Sequence, residues 1–161
     1  NEPMQLLCLR LLWFTGVRVS ELCDIKVNEL DTVQKCAKVQ TRKSFRPKQI
    51  FWDDATNDLI TRVTNGRTFG SLFGVTPRQV QRWIEDIVDK SGIKKHITPH
   101  SFRHGMAHQM LEIGIDLPAL QDLLGHKHPQ SIFKYTKRLD EDIMEKGREA
   151  VRKRQAIAKL K

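Results

Sequence analysis

The sequence predicts an α+β fold, mostly α, with one small antiparallel β-sheet, and three observations carry that reading. Helix starts recur along the chain, with Pro3, Thr76-Pro77, Thr98-Pro99 and Asp116 each leading into apolar residues. Glycines 16, 92, 114 and 125 stand where those apolar runs end. β-branched and aromatic residues are concentrated in two short runs flanking a basic, Pro-containing turn.

Residues 3–14 are dense in Leu, Trp and Phe, which predicts a buried helix stopped near Gly16. A short helix follows from about Val19 to Asp24. Residues 35–40 and 48–52 form a hairpin around Arg42–Pro47, and a third short strand is expected near Arg67–Leu72. Thr76-Pro77 opens a helix whose apolar face is Val80, Ile84, Ile87 and Val88, ended by Gly92. Thr98-Pro99 opens another that runs to Ile113. Asp116 caps a shorter helix ending at Gly125, Ser131 caps one that includes Tyr135, and a charged helix is expected over 140–158. No tract is of low complexity and no segment repeats.

At 161 residues the chain has the size of one domain. Lys and Arg outnumber Asp and Glu by 28 to 19, a net charge of +9, which favours a polyanionic partner, with nucleic acid ahead of anionic membrane. No stretch approaches the roughly 18 apolar residues needed to span a bilayer, and neither end has the form of a targeting tag. Cys8, Cys23 and Cys36 are odd in number and widely spaced, as expected of reduced cytosolic thiols rather than a disulfide or zinc framework.

Five side chains suit phosphodiester chemistry. Arg18 lies beside a helix start, where backbone amides favour an anion. His100 and Arg103 lie three apart in the first turn of a helix and project side by side. His126 follows the helix-ending Gly125, and Tyr135 is the only tyrosine. Guanidinium forks match phosphate oxygens and stay charged, imidazoles move protons, and a phenol can attack phosphorus. Any one of these alone is more often an ordinary surface residue.

Together they form a pattern. Thr15-Gly16-Val17-Arg18-Val19-Ser20-Glu21-Leu22 resembles the first arginine box of the tyrosine recombinase (phage integrase) family. Thr98-Pro99-His100-Ser101-Phe102-Arg103-His104 resembles its His-x-x-Arg box. Leu123-Leu124-Gly125-His126 is similar to its LLGH motif, with Tyr135 nine residues beyond. The resemblance implies the DNA breaking-rejoining fold and site-specific recombination of double-stranded DNA. In that chemistry Tyr135 attacks the scissile phosphate to form a 3′-phosphotyrosyl bond. Arg18 and Arg103 neutralise the non-bridging oxygens, His126 donates to the same phosphate, and His100 assists proton transfer or orientation. Glu21, one turn after Arg18, either braces it or is a solvated helix Glu. No metal or other cofactor is required.

The family also supplies the leaving 5′-oxygen with a proton from a hairpin lysine. Arg42-Lys43-Ser44-Phe45-Arg46-Pro47-Lys48 resembles that hairpin and points to Lys43, with Lys48 and Arg42 as rivals. Phe45 stands where the family often has glycine.

His100, His104 and His108 recur every fourth residue on what should be a non-core face, opposite Phe102, Met106, Met110 and Ile113. A metal site is disfavoured there, because each helical turn rises about 5.4 Å and no HExxH pattern or Cys partner is present. Arg78, Gln79 and Arg82 offer either a DNA-facing or a plain solvated face. Residues 137–161 hold nine basic and five acidic side chains. The resemblance implies that residues 140–161 dock on a neighbouring protomer in a synaptic tetramer, with a frayed basic tail as the alternative. It also implies that an amino-terminal DNA-clamping domain is missing, since the chain opens without Met at the helix preceding the first arginine. Type IB topoisomerase-like relaxation and a catalytically silent DNA-binding role are the rival functions.

Overall fold

The computed structural model describes residues 2–40 and 47–125. Helices α1 (Glu2–Thr15), α2 (Val19–Cys23), α3 (Asp54–Thr64), α4 (Pro77–Ser91), α5 (Pro99–Glu112) and α6 (Leu117–Leu124) are joined by one sheet of β1 (Leu30–Asp31), β2 (Cys36–Val39) and β3 (Lys48–Phe51), which α1 and α6 touch through β3. The strand order is β1-β2-β3 and both pairings are antiparallel. The helices predicted over 3–14, 19–24, 77–91, 99–113 and 117–124 are all present within a residue or two. The predicted helix around Tyr135 and the charged helix over 140–158 lie outside the described residues.

Helix α1 is the central element. Leu7, Leu11 and Leu12 are fully buried, and they share a core with Leu22, Ile25, Ile60, Leu72, Val80 and Ile84. Contacts from α1 to α2, α3, α4, α5 and β3 explain why its sequence is apolar on more than one face.

Helix α3 was not anticipated. Its Thr61, Val63 and Thr64 dilute the helical pattern, because β-branched side chains have low helix propensity. The end signals are nonetheless in the sequence. Asp53 Oδ1 accepts from the Thr56 N–H at 3.0 Å, and Asn65 and Gly66 take the left-handed conformation that stops the helix. Arg10 ties this start to α1 by donating Nη2 to Asp53 Oδ2 at 2.6 Å and Nε to Thr56 Oγ1 at 2.9 Å.

The third strand is also elsewhere. Residues 67–72 form only an isolated bridge, Lys26 to Ser71, because Gly70 at φ +91° breaks the extended run. The strand that completes the sheet is Leu30–Asp31, which a tight turn returns to β2. In that turn the Asp31 carboxylate accepts from the Val33 and Gln34 N–H groups at 3.0 and 2.8 Å.

The core face of α5 is only partly as expected. The buried residues are Arg103, Met106, Ala107 and Leu111, whereas Ile113 is 73% exposed. Met106 is buried and Phe102 packs against the core as expected, but the buried face also takes in the Arg103 guanidinium, and Ile113 lies past the helix end. Among the described residues no helix is long and apolar enough to cross a membrane.

Candidate active site

The chain turn between α1 and α2 is made by Gly16, whose φ of +57° is a left-handed conformation costly to other residues. A Cβ on Gly16 would also lie 3.1 Å from Met106 Sδ and 3.2 Å from Leu124 Cδ2. Glycine thus lets this turn sit against α5 and α6, and two residues later Arg18 begins α2.

Arg18 is held from behind by Glu21. Its backbone N–H donates to Glu21 Oε2 at 3.0 Å and its Nη1 donates to Oε1 at 2.7 Å. Glu21 is 1% exposed, so the bracing alternative holds and the solvated one does not. The second charge on that carboxylate is Lys48. Its Nζ lies 2.9 Å from Oε2, inside the fold, without the geometry of a proper hydrogen bond. The contact is therefore chiefly charge on charge. Burial pushes the Glu21 carboxyl up, but Lys48 and the bonds from Arg18 outweigh it and hold it below the usual carboxylate range.

Helix α5 starts at Thr98, whose N–H donates to Ser101 Oγ at 3.1 Å, with Pro99 in the first turn. Arg103 then turns inward and is 2% exposed. Its Nη1 donates to the Gly16 carbonyl at 2.5 Å and its Nη2 to the Leu124 carbonyl at 2.6 Å. His100 faces outward, its ring edge-on to His104 with centroids 4.6 Å apart. Helix α6 is capped by Asp116, which accepts from the Ala119 N–H at 2.8 Å, and stops at Gly125 with φ +62°.

Arg18, His100 and Arg103, 82 or more residues apart across the first gap, line one open cleft of about 280 Å³ together with Thr98 and Gln81 of α4. Two guanidiniums beside an exposed imidazole are a set of groups chemically suited to an anion. Lys43, His126 and Tyr135 lie outside the described residues. Two further side chains matter that the motifs alone did not single out. Gln81 sits on the polar face of α4, beside the Arg78, Gln79 and Arg82 already noted there. Lys48 was a rival to Lys43, and strand parity could have placed it, because Lys48 and Ile50 alternate inward.

The model of the phage integrase family matches residues 2–142. The chain belongs to that family. Among curated relatives, a tyrosine recombinase of Pseudothermotoga lettingae is 32% identical over 146 residues, covering 84% of this chain and 50% of its own. Tyrosine recombinase XerC of Bacillus pumilus is 33% identical over 144 residues, 80% of this chain and 47% of its own. Tyrosine recombinase XerA of Pyrococcus furiosus is 32% identical over 145 residues, 81% and 49%. The chain spans about half the length of these family members. Two solved structures share the fold. A XerA recombinase crystal structure has a TM-score of 0.71 at 24% identity, covering 93% of this chain and 64% of that one. A XerH recombinase bound to its difH substrate has a TM-score of 0.72 at 20% identity, covering 88% and 44%. The predicted α+β recombinase fold is thus the observed one.

Proposed function

We propose that this chain is the catalytic part of a site-specific recombinase that cuts and rejoins double-stranded DNA through Tyr135. The observation that carries the reading is the shared cleft of Arg18, His100 and Arg103, residues brought together from two distant motifs. The curated relatives are named tyrosine recombinases, and the XerH site-specific recombinase of similar fold was captured on its difH substrate in a pre-cleavage complex.

In the proposed reaction the Tyr135 Oη attacks the scissile phosphorus, a bond from phosphorus to that oxygen forms, and the bond to the 5′-oxygen breaks. The phenol loses its proton and the leaving 5′-oxygen gains one, for which Lys43 is the assigned donor. Arg18 and Arg103 receive the charge that builds on the non-bridging oxygens, and His126 and His100 add hydrogen bonds to it. The energy of the broken ester is kept in the 3′-phosphotyrosyl bond, so the second strand can displace Tyr135 without a cofactor. In the whole protein, an amino-terminal clamping domain and docking of residues 140–161 on a neighbouring protomer would assemble the tetramer that exchanges strands. The site of action is the DNA of the cell's interior.

Incubation with a pool of nicked suicide duplexes carrying a randomised centre tests the reading. The nick lets the short 5′-product diffuse away, so a covalent adduct accumulates and its sequence identifies the site. Adduct mapped to Tyr135 at a 3′-phosphate is the expected result. Adduct at another residue, or none from any member of the pool, would overturn it. Relaxation of supercoils without exchange between two captured sites would favour the topoisomerase-like alternative.

A further inference from the structure

Lys48 and Glu21 are a buried ion pair directly behind the cleft. Their side chains are 2% and 1% exposed. Lys48 is fixed at that depth by the sheet, since it pairs with Val39 across the hairpin and alternates inward with Ile50. It does not line the cleft that holds Arg18, His100 and Arg103. Its route to the cleft is the Glu21 carboxylate, which it meets at Oε2 while Arg18 occupies Oε1.

The charges show why such a lysine is needed. A carboxylate bonded to Arg18 orients the guanidinium but cancels its charge, which would lower the net positive charge that Arg18 and Arg103 present to a phosphodiester. Buried charges are weakly screened, so that cancellation would be felt strongly. With Lys48 on the far oxygen, three cations and one carboxylate leave two net positive charges. We propose that Lys48 is a positioning residue for the DNA-cleaving reaction, which holds Glu21 in place and offsets its charge so that Arg18 meets the scissile phosphate as a full cation. This rests on the recombinase reading above, and it separates Lys48 from the proton donor of the leaving group. Burial, together with the nearby Arg103 and Arg18, pushes the ammonium down to about 8 against the opposing pull of Glu21, so it is charged at neutral pH.

The test is a cycle of Glu21→Gln, Lys48→Met and the double variant, each incubated with the suicide duplex that the wild-type chain captures. Each duplex is made with an ordinary bridging 5′-oxygen and with a bridging 5′-sulfur, which leaves without a proton. Lys48→Met should slow adduct formation about 10- to 100-fold on both duplexes. Once Glu21 is already Gln, losing Lys48 should matter less than about threefold, because no carboxylate remains to be offset. Glu21→Gln leaves the buried Lys48 ammonium without its carboxylate and Lys48→Met leaves Glu21 with Arg18 alone, whereas the double variant removes both buried charges and is the one expected to fold as the wild type does. It therefore decides the matter alone if the singles melt. A sulfur-to-oxygen rate ratio in the double variant equal to that of the wild type supports a positioning role. A ratio raised 100-fold or more would overturn it and make Lys48 the proton donor. No adduct from the wild-type chain would instead overturn the recombinase reading itself.

Discussion

Arg103 donates one nitrogen to the Gly16 carbonyl and another to the Leu124 carbonyl, so a single guanidinium joins the ends of α1 and α6. Helix ends expose carbonyls that need donors, and a buried planar fork can serve two at once. The same side chain borders the cleft. A structural demand therefore falls on the residue to which the proposed reaction also assigns a catalytic part.

Arg103→Lys keeps the charge but cannot span both carbonyls. It should lower stability by about 3 kcal/mol, the scale of lost hydrogen bonds from a buried charge. Arg18→Lys, at a partly exposed position, should cost less than about 1 kcal/mol. Both should slow adduct formation about 100-fold or more. Urea unfolding beside suicide-duplex kinetics separates the two effects, and equal stability of the two variants would refute the dual role of Arg103.

Gly16→Ala should destabilise by about 1–3 kcal/mol, combining the cost of a left-handed alanine with the crowding of Met106 and Leu124. Thermal melts read this directly. Gly92→Ala is the control. It has a similar φ of +71° but nothing near its Cβ position, so it should lose only the backbone part.

Tyr135→Phe removes one oxygen, so DNA binding should persist while the covalent adduct disappears. Binding itself should weaken steeply with salt, with a slope of about −0.9 for each phosphate contact. Filter binding across a salt series, run on both proteins, should give superimposable lines, and a flat dependence would reject a cleft that holds DNA by its backbone.

The alkaline limb of stability should carry two opposing signatures. Lys48, facing Glu21, Arg18 and Arg103, titrates at about 8 in the fold against 10.5 ordinarily. The unfolded chain therefore holds more protons between those values, and this group makes stability rise with pH across that window. Cys8, buried beside Cys23, is pushed up to about 12 from 9.0. Its contribution is fully present below pH 9 and is lost as pH climbs toward 12. The wild type should thus gain stability from pH 8 to 9, level off, then decline above about 10.5. In Cys8→Ala the decline should vanish and the rise continue to about 10.5, as measured by unfolding free energy at each pH.

Much of this was legible because the signals are local. Thr76-Pro77, Thr98-Pro99 and Asp116 mark their helices by hydrogen-bonding chemistry within four residues, and Gly16, Gly92 and Gly125 end theirs by backbone conformation. Helix α3 escaped because its stability comes from elsewhere, through Arg10 of α1 on Asp53 and Thr56. Leu30–Asp31 escaped because two residues are too few to show a period. The burial of Arg103 follows from its bonds to carbonyls on two other elements, which no wheel drawn on α5 alone can contain. Arg18 and Glu21 were readable as a pair for the opposite reason, being one turn apart on the same helix. Lys48 joins them only across the sheet.

The Arg10 clamp on Asp53 has a consequence for how this hairpin can vary among family members. It pins the chain immediately after β3, five residues beyond Lys48. Turn length upstream of Lys48 can change freely, since the anchored end determines which side chains point inward. Between Lys48 and Asp53 the spacing behaves as an odd-even code. One inserted residue would turn the lysine to solvent and set its neighbour against Glu21, whereas two would restore the facing. Related sequences should therefore drift in loop length on one side of this lysine while remaining invariant, modulo two, on the other.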